Sequence, residues 1–275
     1  MSEVELVTLA AALFGLLIGS FLNVCVHRMP RDLSVVRPRS FCPACEKPIA
    51  WYDNIPLLSY VLLGGKCRAC EGKIPWRYPL VELSTGVLFA GGVMHYGVDP
   101  QALKFSIFAA LIVGLVFMDF EERILADEMT LGGMVFGFGL SLFLPMPRFL
   151  AHFLFPAEWR ESYLSLLESL VGAIPPAMGL WLLGELYYRL RGREGLGLGD
   201  VKMIAMIGAF YGLQGAIVTL MIGSLLGSVV GLVFIFLSGK DAATYELPFG
   251  SFLGVGALIA PLALIKGEGG LVVPW

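Results

Sequence analysis

Two acids stand where acids are costly. Asp200 closes the run Gly197-Leu198-Gly199-Asp200 between two apolar stretches, and Asp119 directly follows the apolar residues 105–118. Ionisable side chains at membrane depth or its edge are expensive and mark working sites by default. A pair of carboxyls brought close enough to share one proton is the aspartic-protease device: the ionised member takes a proton from water while the protonated member polarises the scissile carbonyl. Asp119 is one of five acids in residues 119–128, and it is favoured because it ends the apolar run, where solvation is poorest. Asp127 is the next candidate, although with Glu128 it also suits the N-terminus of a following helix. Glu121, Glu122 and Arg123 read as a solvated turn. At Asp200 the two glycines allow close backbone approach and dihedrals closed to other residues, while the routine alternative is a helix start with Asp as its N-cap. His27, His95 and His152 are scattered and form no triad with a nucleophile.

A second cluster has metal chemistry. Cys42-Pro43-Ala44-Cys45 and Cys67-Arg68-Ala69-Cys70 are two C-x2-C knuckles with 21 residues between them. Each knuckle presents two thiolates at a bite suited to a tetrahedral ion, and two knuckles close a four-sulfur structural site with no open position for water. Such a metal holds a small polar module together rather than catalysing. Trp51, Tyr52, Trp76, Arg77 and Tyr78 are expected to pack that module, with a substrate surface as the alternative. Cys25 lies in an apolar stretch and is expected to be a small packing residue.

The elements that must carry these groups are membrane helices. The 275-residue chain is 57% hydrophobic and 15% charged, with mean hydropathy +0.79, against about 45–50% apolar and about 25% charged in soluble domains. Apolar stretches of spanning length fall at residues 4–26, 80–96, 102–118, 129–144, 170–187, 201–217, 219–237 and 251–265. The fold class is therefore an all-α polytopic membrane protein of about eight apolar segments, with a small cytoplasmic zinc-binding loop between the first two. Three parts follow: a first transmembrane helix (1–26), the cysteine module (27–79) and a transmembrane domain that carries both acids (80–275). Glu3 and Glu5 replace the basic region of a signal peptide, so the first segment is kept as a permanent helix. No internal repeat or low-complexity tract stands out. The net charge of −3 and the lack of a basic face give no reason to expect nucleic acid as a partner; the lipid bilayer is the expected one.

Residues 27–79 carry nine Lys and Arg against four acids, which places them in the cytoplasm by the positive-inside rule. Threading eight spans from there puts both termini outside and both candidate acids on the cytoplasmic face, beside Arg123 and near Arg189, Arg191 and Arg193. Residues 145–168 fall outside. Their mixture of Phe149, Phe153, Phe155, Trp159 and Tyr163 with Arg148, His152, Glu158, Arg160 and Glu161 suits an aromatic belt or an interfacial stretch.

Taken in order, Gly19-Ser20-Phe21-Leu22-Asn23-Val24 with Arg28 and Pro30, both knuckles, residues 54–60 (NIPLLSY), residues 77–83 (RYPLVEL), the Asp119 segment, Gly197-Leu198-Gly199-Asp200-Val201-Lys202 and Pro248-Phe249-Gly250 resemble the type IV prepilin leader peptidases. These are bifunctional G-x-G-D membrane enzymes of bacterial type IV pilus and type II secretion systems. The resemblance covers nearly the whole chain. It implies removal of the short basic leader of prepilins and pseudopilins after a glycine at the cytoplasmic face of the inner membrane, then methylation of the new N-terminus with S-adenosylmethionine. It places the catalytic aspartates on Asp119 and Asp200 and structural zinc on Cys42, Cys45, Cys67 and Cys70. Asn23 and Glu82 match family positions without an assigned role. Many relatives carry proline where this chain has Ala126 and Ser251; neither change replaces a reacting group, and both bear on how a helix starts. No glycine-rich nucleotide fingerprint is visible, so the methyl-donor site rests on the resemblance alone. The rival function is a proton-coupled transporter with a zinc-stabilised regulatory loop, against which stand the lack of related halves and of matched interrupted helices.

Overall fold

A computed structural model describes residues 2–146, 149–150, 154–155, 159–193, 195–238, 248–263, 265–266 and 272–273. Apart from a two-residue strand pair, Ile265–Lys266 with Val272–Val273, and two isolated bridges in the cysteine loop, regular structure among these residues is helical. The helices are α1 (Glu3–Arg28), α2 (Leu58–Leu62), α3 (Arg77–Tyr96), α4 (Pro100–Glu122), α5 (Asp127–Phe143), α6 (Glu161–Arg191), α7 (Leu198–Ser238) and α8 (Phe249–Ala263). Four helical segments, Glu3–Arg31, Pro100–Glu122, Glu161–Arg191 and Leu198–Phe234, are long and apolar enough to cross a membrane. The chain divides into two units, Met1–Met118 and Asp119–Trp275.

In the first unit α1 begins with a capping box: Ser2 Oγ accepts the Glu5 amide at 3.3 Å and Glu5 Oε2 accepts the Ser2 amide at 2.8 Å. Ser2 and Glu5 thus satisfy each other's amides at the helix start. Leu13, Phe14 and Leu17 face outward, as a lipid-facing surface should, while Gly15 and Gly19 bring α1 onto α3. A Cβ at Gly15 would lie 2.8 Å from the Gly86 Cα, and one at Gly19 would lie 2.6 Å from the Glu82 Cα. Between lipid-solvated helices, close approach of small residues replaces the hydrophobic drive available in water. Cys25 is buried in this unit, as expected of a packing residue.

The second unit repeats the device twice. Gly208, with Gly212 four residues on, crosses α6 at Gly172; a Cβ at Gly208 would fall 1.9 Å from the Gly172 carbonyl oxygen. Ser169 Oγ donates to the Ala209 carbonyl at 2.7 Å beside this crossing. Further along, Gly223 and Gly227 pack on Leu253 and Phe252 of α8. α6 begins at Glu161, nine residues before the apolar stretch expected at 170, so Leu164, Ser165, Glu168 and Ser169 are buried helix rather than outer loop. Arg148, His152, Phe153 and Glu158 of the expected interfacial stretch lie outside the described residues. Of its described members, Phe155 and Trp159 contact each other with ring centroids 5.4 Å apart.

Residues 198–238 are two helices joined at Gly212, whose φ 68° and ψ −172° are not helical, and the chain reverses there. Twenty-three residues of unbroken helix would separate residues 200 and 223 by about 35 Å. Both nevertheless meet the start of α8: the Asp200 carboxylate lies beside Gly250 and Gly223 beside Leu253. Two apolar arms are what the helix contains, as expected from the sequence, but the turn between them falls at Gly212, inside the stretch 201–217.

Candidate active site and metal centre

Asp119, in the last turn of α4, and Asp200, third residue of α7, are both buried, 7% and 9% exposed. They converge on the first turn of α8. A Cβ placed on Gly250 would lie 3.1 Å from Asp119 Cγ and 3.1 Å from Asp200 Oδ1. Both carboxyls therefore flank one point of backbone, in the same unit and on the same side of it. Leu125 Cδ1 closes the third side at 3.1 Å.

Asp119 is held by the helix end it faces. Its Oδ2 accepts the Ser251 amide at 2.6 Å and the Ser251 hydroxyl at 2.7 Å. The first amides of a helix have no partner within it and carry the positive end of its dipole, so they are a natural seat for a carboxylate. Asp200 is not the N-cap of α7; its amide bonds back to the Gly197 carbonyl at 3.2 Å, one turn into the helix. The two glycines before it do not need glycine-only dihedrals, since neither is among the positive-φ residues. Gly199 supplies close approach instead: a Cβ there would meet Leu125 Cβ at 3.0 Å.

The other acids are placed elsewhere. Asp127 starts α5, and both its oxygens are gripped by Lys202 of α7, at 2.6 and 2.9 Å. Arg123, with φ 56°, ends the turn after Asp119. Sequence reasoning singled out neither Gly250 nor Ser251 as a site residue, although they are the nearest non-acidic neighbours of the pair. The available signal was a Gly-Ser step at the start of an apolar segment. Two further buried ionisable groups also went unremarked, Lys104 in α4 and Glu168 in α6; Glu168 accepts the Leu150 amide at 3.4 Å.

In the first unit the four sulfurs of Cys42, Cys45, Cys67 and Cys70 all lie within 4.8 Å of one another, with Cys42 and Cys70 Sγ 3.9 Å apart. A tetrahedral zinc with Zn–S of about 2.3 Å requires sulfur–sulfur edges of about 3.8 Å, so this set could hold such an ion after small side-chain shifts. The amides of Ala69, 3.4 Å from Cys67 Sγ, and of Cys70 pull the Cys67 thiol down to about 7, toward the thiolate a metal needs.

The two knuckles are copies. Cys42, Ala44, Cys45, Glu46, Ile49 and Trp51 recur 25 positions later as Cys67, Ala69, Cys70, Glu71, Ile74 and Trp76. The backbone repeats as well: the Cys42 amide bonds the Lys47 carbonyl as the Cys67 amide bonds that of Gly72, and Ile49 bonds Ser40 as Ile74 bonds Gly65. Glu46 and Glu71 take the same left-handed turn, φ 57° and 55°. An internal repeat is thus present, short enough to be hidden inside the metal motif.

Arg68, inside the second knuckle, forks onto Asp53 with bonds of 2.6 to 3.1 Å and holds that carboxyl below its usual range. Trp51, Tyr52 and Trp76 are exposed rather than packed inside the module, whereas Arg77 is buried. Asn23 Nδ2 donates to the Tyr78 carbonyl at 3.0 Å, and Glu82 accepts the Leu57 amide at 2.8 Å. These two residues, unassigned from the sequence, tie the middle of the cysteine loop to α3 and the start of α3 to α1.

With this geometry in hand, residues 13–96 match the bacterial peptidase A24 N-terminal domain and residues 105–232 match the type IV leader peptidase family. The prepilin leader peptidase/N-methyltransferase of Neisseria gonorrhoeae is 34% identical, over 85% of this chain and 84% of its own length. The chain belongs to the type IV leader peptidase family. Other leader peptidases are similar to the same degree. The prepilin leader peptidase/N-methyltransferase of Pseudomonas aeruginosa is 32% identical over 92% of this chain and 89% of its own. That of Myxococcus xanthus is 36% identical over 84% of this chain, which spans 64% of that relative's length. No solved structure matches. Nothing in these comparisons supports a transporter.

Proposed function

We propose that this leader peptidase is a membrane aspartic endopeptidase that removes the short basic leader of type IV prepilins or pseudopilins after a glycine, using Asp119 and Asp200. The observation that carries the reading is the convergence of both carboxyls on Gly250. One carboxylate takes a proton from water as its oxygen adds to the scissile carbonyl; the other, protonated, gives its proton to the carbonyl oxygen. The first then returns its proton to the leaving amine as the C–N bond breaks, while the second takes back a proton from the gem-diol hydroxyl as the new carboxyl forms. The prepilin's apolar helix stays in the bilayer while its leader junction unwinds at the acids.

The second activity, methylation of the new N-terminus with S-adenosylmethionine, follows from the names of the relatives. Its site belongs with the N-terminal part of the chain by family resemblance. Zinc on Cys42, Cys45, Cys67 and Cys70 is structural, because four thiolates leave no coordination position for a reactant. Residues 1–26, 27–79 and 80–275 form the first membrane helix, the zinc module and the peptidase domain. Eight crossings, counting α1, α3 to α6, the two arms of α7, and α8, set both acids at the cytoplasmic face of the inner membrane.

The test is reconstitution with a prepilin. Cleavage is expected to release the leader, and mass analysis of the mature N-terminus to show the gain of one CH2 when the methyl donor is present. A chain that leaves the leader attached while moving protons across a vesicle would overturn the peptidase reading in favour of the transporter.

A further inference from the structure

The two acids have unequal surroundings. Asp119 Oδ2 receives two donors from a single residue, the amide and hydroxyl of Ser251, at the first turn of a 15-residue helix. Asp200 has one backbone donor among the described residues, the Gly197 amide at the start of its own helix. Hydrogen bonds from N–H and O–H groups favour the ionised form of a carboxyl, and an oncoming helix dipole adds to them.

From this geometry we infer that Ser251 is a positioning residue which fixes the division of labour within the pair: Asp119 is the carboxylate that takes the proton from water, through Oδ1, and Asp200 is the acid that donates to the carbonyl oxygen. With Oδ2 committed to Ser251, the Asp119 carboxylate cannot rotate, and Oδ1 is the oxygen presented to water. The inference deepens the peptidase reading and rests on it.

The other charged groups on this side of the unit do not reverse the asymmetry. Asp200 comes from α7, and Lys202 of the same helix is paired with Asp127 of α5, where Glu128 follows. α8 contributes no titratable side chain, since residues 249–263 contain none. On α6 Arg189 is paired with Glu185. Glu121, Glu122 and Arg123 follow Asp119 on its own turn.

The experiment measures kcat/KM against pH for the full-length enzyme in detergent, with a prepilin-derived peptide containing the basic leader, the glycine junction and the first apolar turns. The acidic limb of such a profile reports protonation of the essential base, as an apparent property of the pair. Removing a donor from the carboxylate favours its protonated form. Ser251→Ala is therefore expected to move the acidic limb to higher pH by about one pH unit, a tenfold gain in proton affinity, with activity recovering on the alkaline side of the displaced limb. Ser251→Thr, which keeps the hydroxyl, is expected to keep the wild-type limb. An unchanged limb in Ser251→Ala overturns this inference alone, because the enzyme is then competent without the donor. A wild-type chain that leaves the peptide intact overturns the peptidase reading and this inference with it. If Ser251→Ala does not accumulate in membranes, Ser251→Cys, similar in size with only a weak S–H donor, carries the same test with the same two outcomes.

Discussion

Lys202 and Asp127 form a forked ion pair between α7 and α5, with Nζ 2.6 and 2.9 Å from the two carboxylate oxygens. The pair gives Lys202, two residues after the acid at 200, a partner in Asp127. Partly exposed pairs of this kind contribute about 0–1 kcal/mol. Asp127→Asn is accordingly expected to lower the rate of leader cleavage by less than about tenfold, measured by processing of a prepilin in reconstituted membranes.

Replacing either Asp119 or Asp200 with Asn is expected to cost at least about a thousandfold in cleavage, the scale of a lost general acid or base. Because the two act as one unit, the double variant should be no slower than either single variant. Rates that multiply on combination would mean that the acids work independently.

Gly250→Ala tests the convergence itself. The new methyl group would sit 3.1 Å from both carboxyls, tighter than ordinary contact, so the acids must part or α8 must shift. A displacement of about 1 Å at reacting groups costs on the order of a hundredfold. Cleavage should fall by about that factor while the protein still inserts in membranes at normal levels.

Metal analysis of the purified chain is expected to give one zinc per molecule, lost in Cys42→Ser or Cys70→Ser. Zinc loss should expose residues 27–79 to limited proteolysis, because the module has little core besides the ion. Acidification should act in the same direction, since thiolates must take up protons to release the metal. The Asp53–Arg68 fork adds a smaller term with the same sign: the native Asp53 carboxyl lies below its unfolded value. Its contribution is present above about pH 4 and disappears as pH falls through the lowered native value.

Gly208→Ala is a stability test remote from the acids. Its Cβ would collide with the Gly172 carbonyl at 1.9 Å, and backbone cannot yield as a side-chain tip does. A loss of at least about 3 kcal/mol is expected, seen as a lowered thermal midpoint in detergent, with little residual protein in membranes. Gly179→Ala in α6, which has open space around it, is the control and should be neutral or nearly so.

The membrane class, the apolar helices and the two clusters of acids and cysteines could be read from residue types, because apolar runs of fixed length and C-x2-C pairs each have few physical uses. The helix at residue 161 was hidden because its first turns mix Glu161, Ser162, Ser165, Glu168 and Ser169 with leucines, a polar face that is satisfied inside the unit and invisible to a hydropathy window. Gly250 and Ser251 entered the family resemblance without a role, because their importance lies in proximity to residues 119 and 200, which no local pattern records. The repeated knuckle could have been seen from Trp51 and Trp76 alone had the 25-residue offset been tried.

The reversal at Gly212 makes residues 200–212 a lever pivoted at the end away from the acids. Twelve residues of helix give it a length of about 18 Å, so a swing of about 5° at the pivot carries the Asp200 end through roughly 1.6 Å. That travel exceeds the tolerance of a proton transfer. A change in the packing of Glu168 against Gly212 would thus be felt at the acids from the opposite end of the arm.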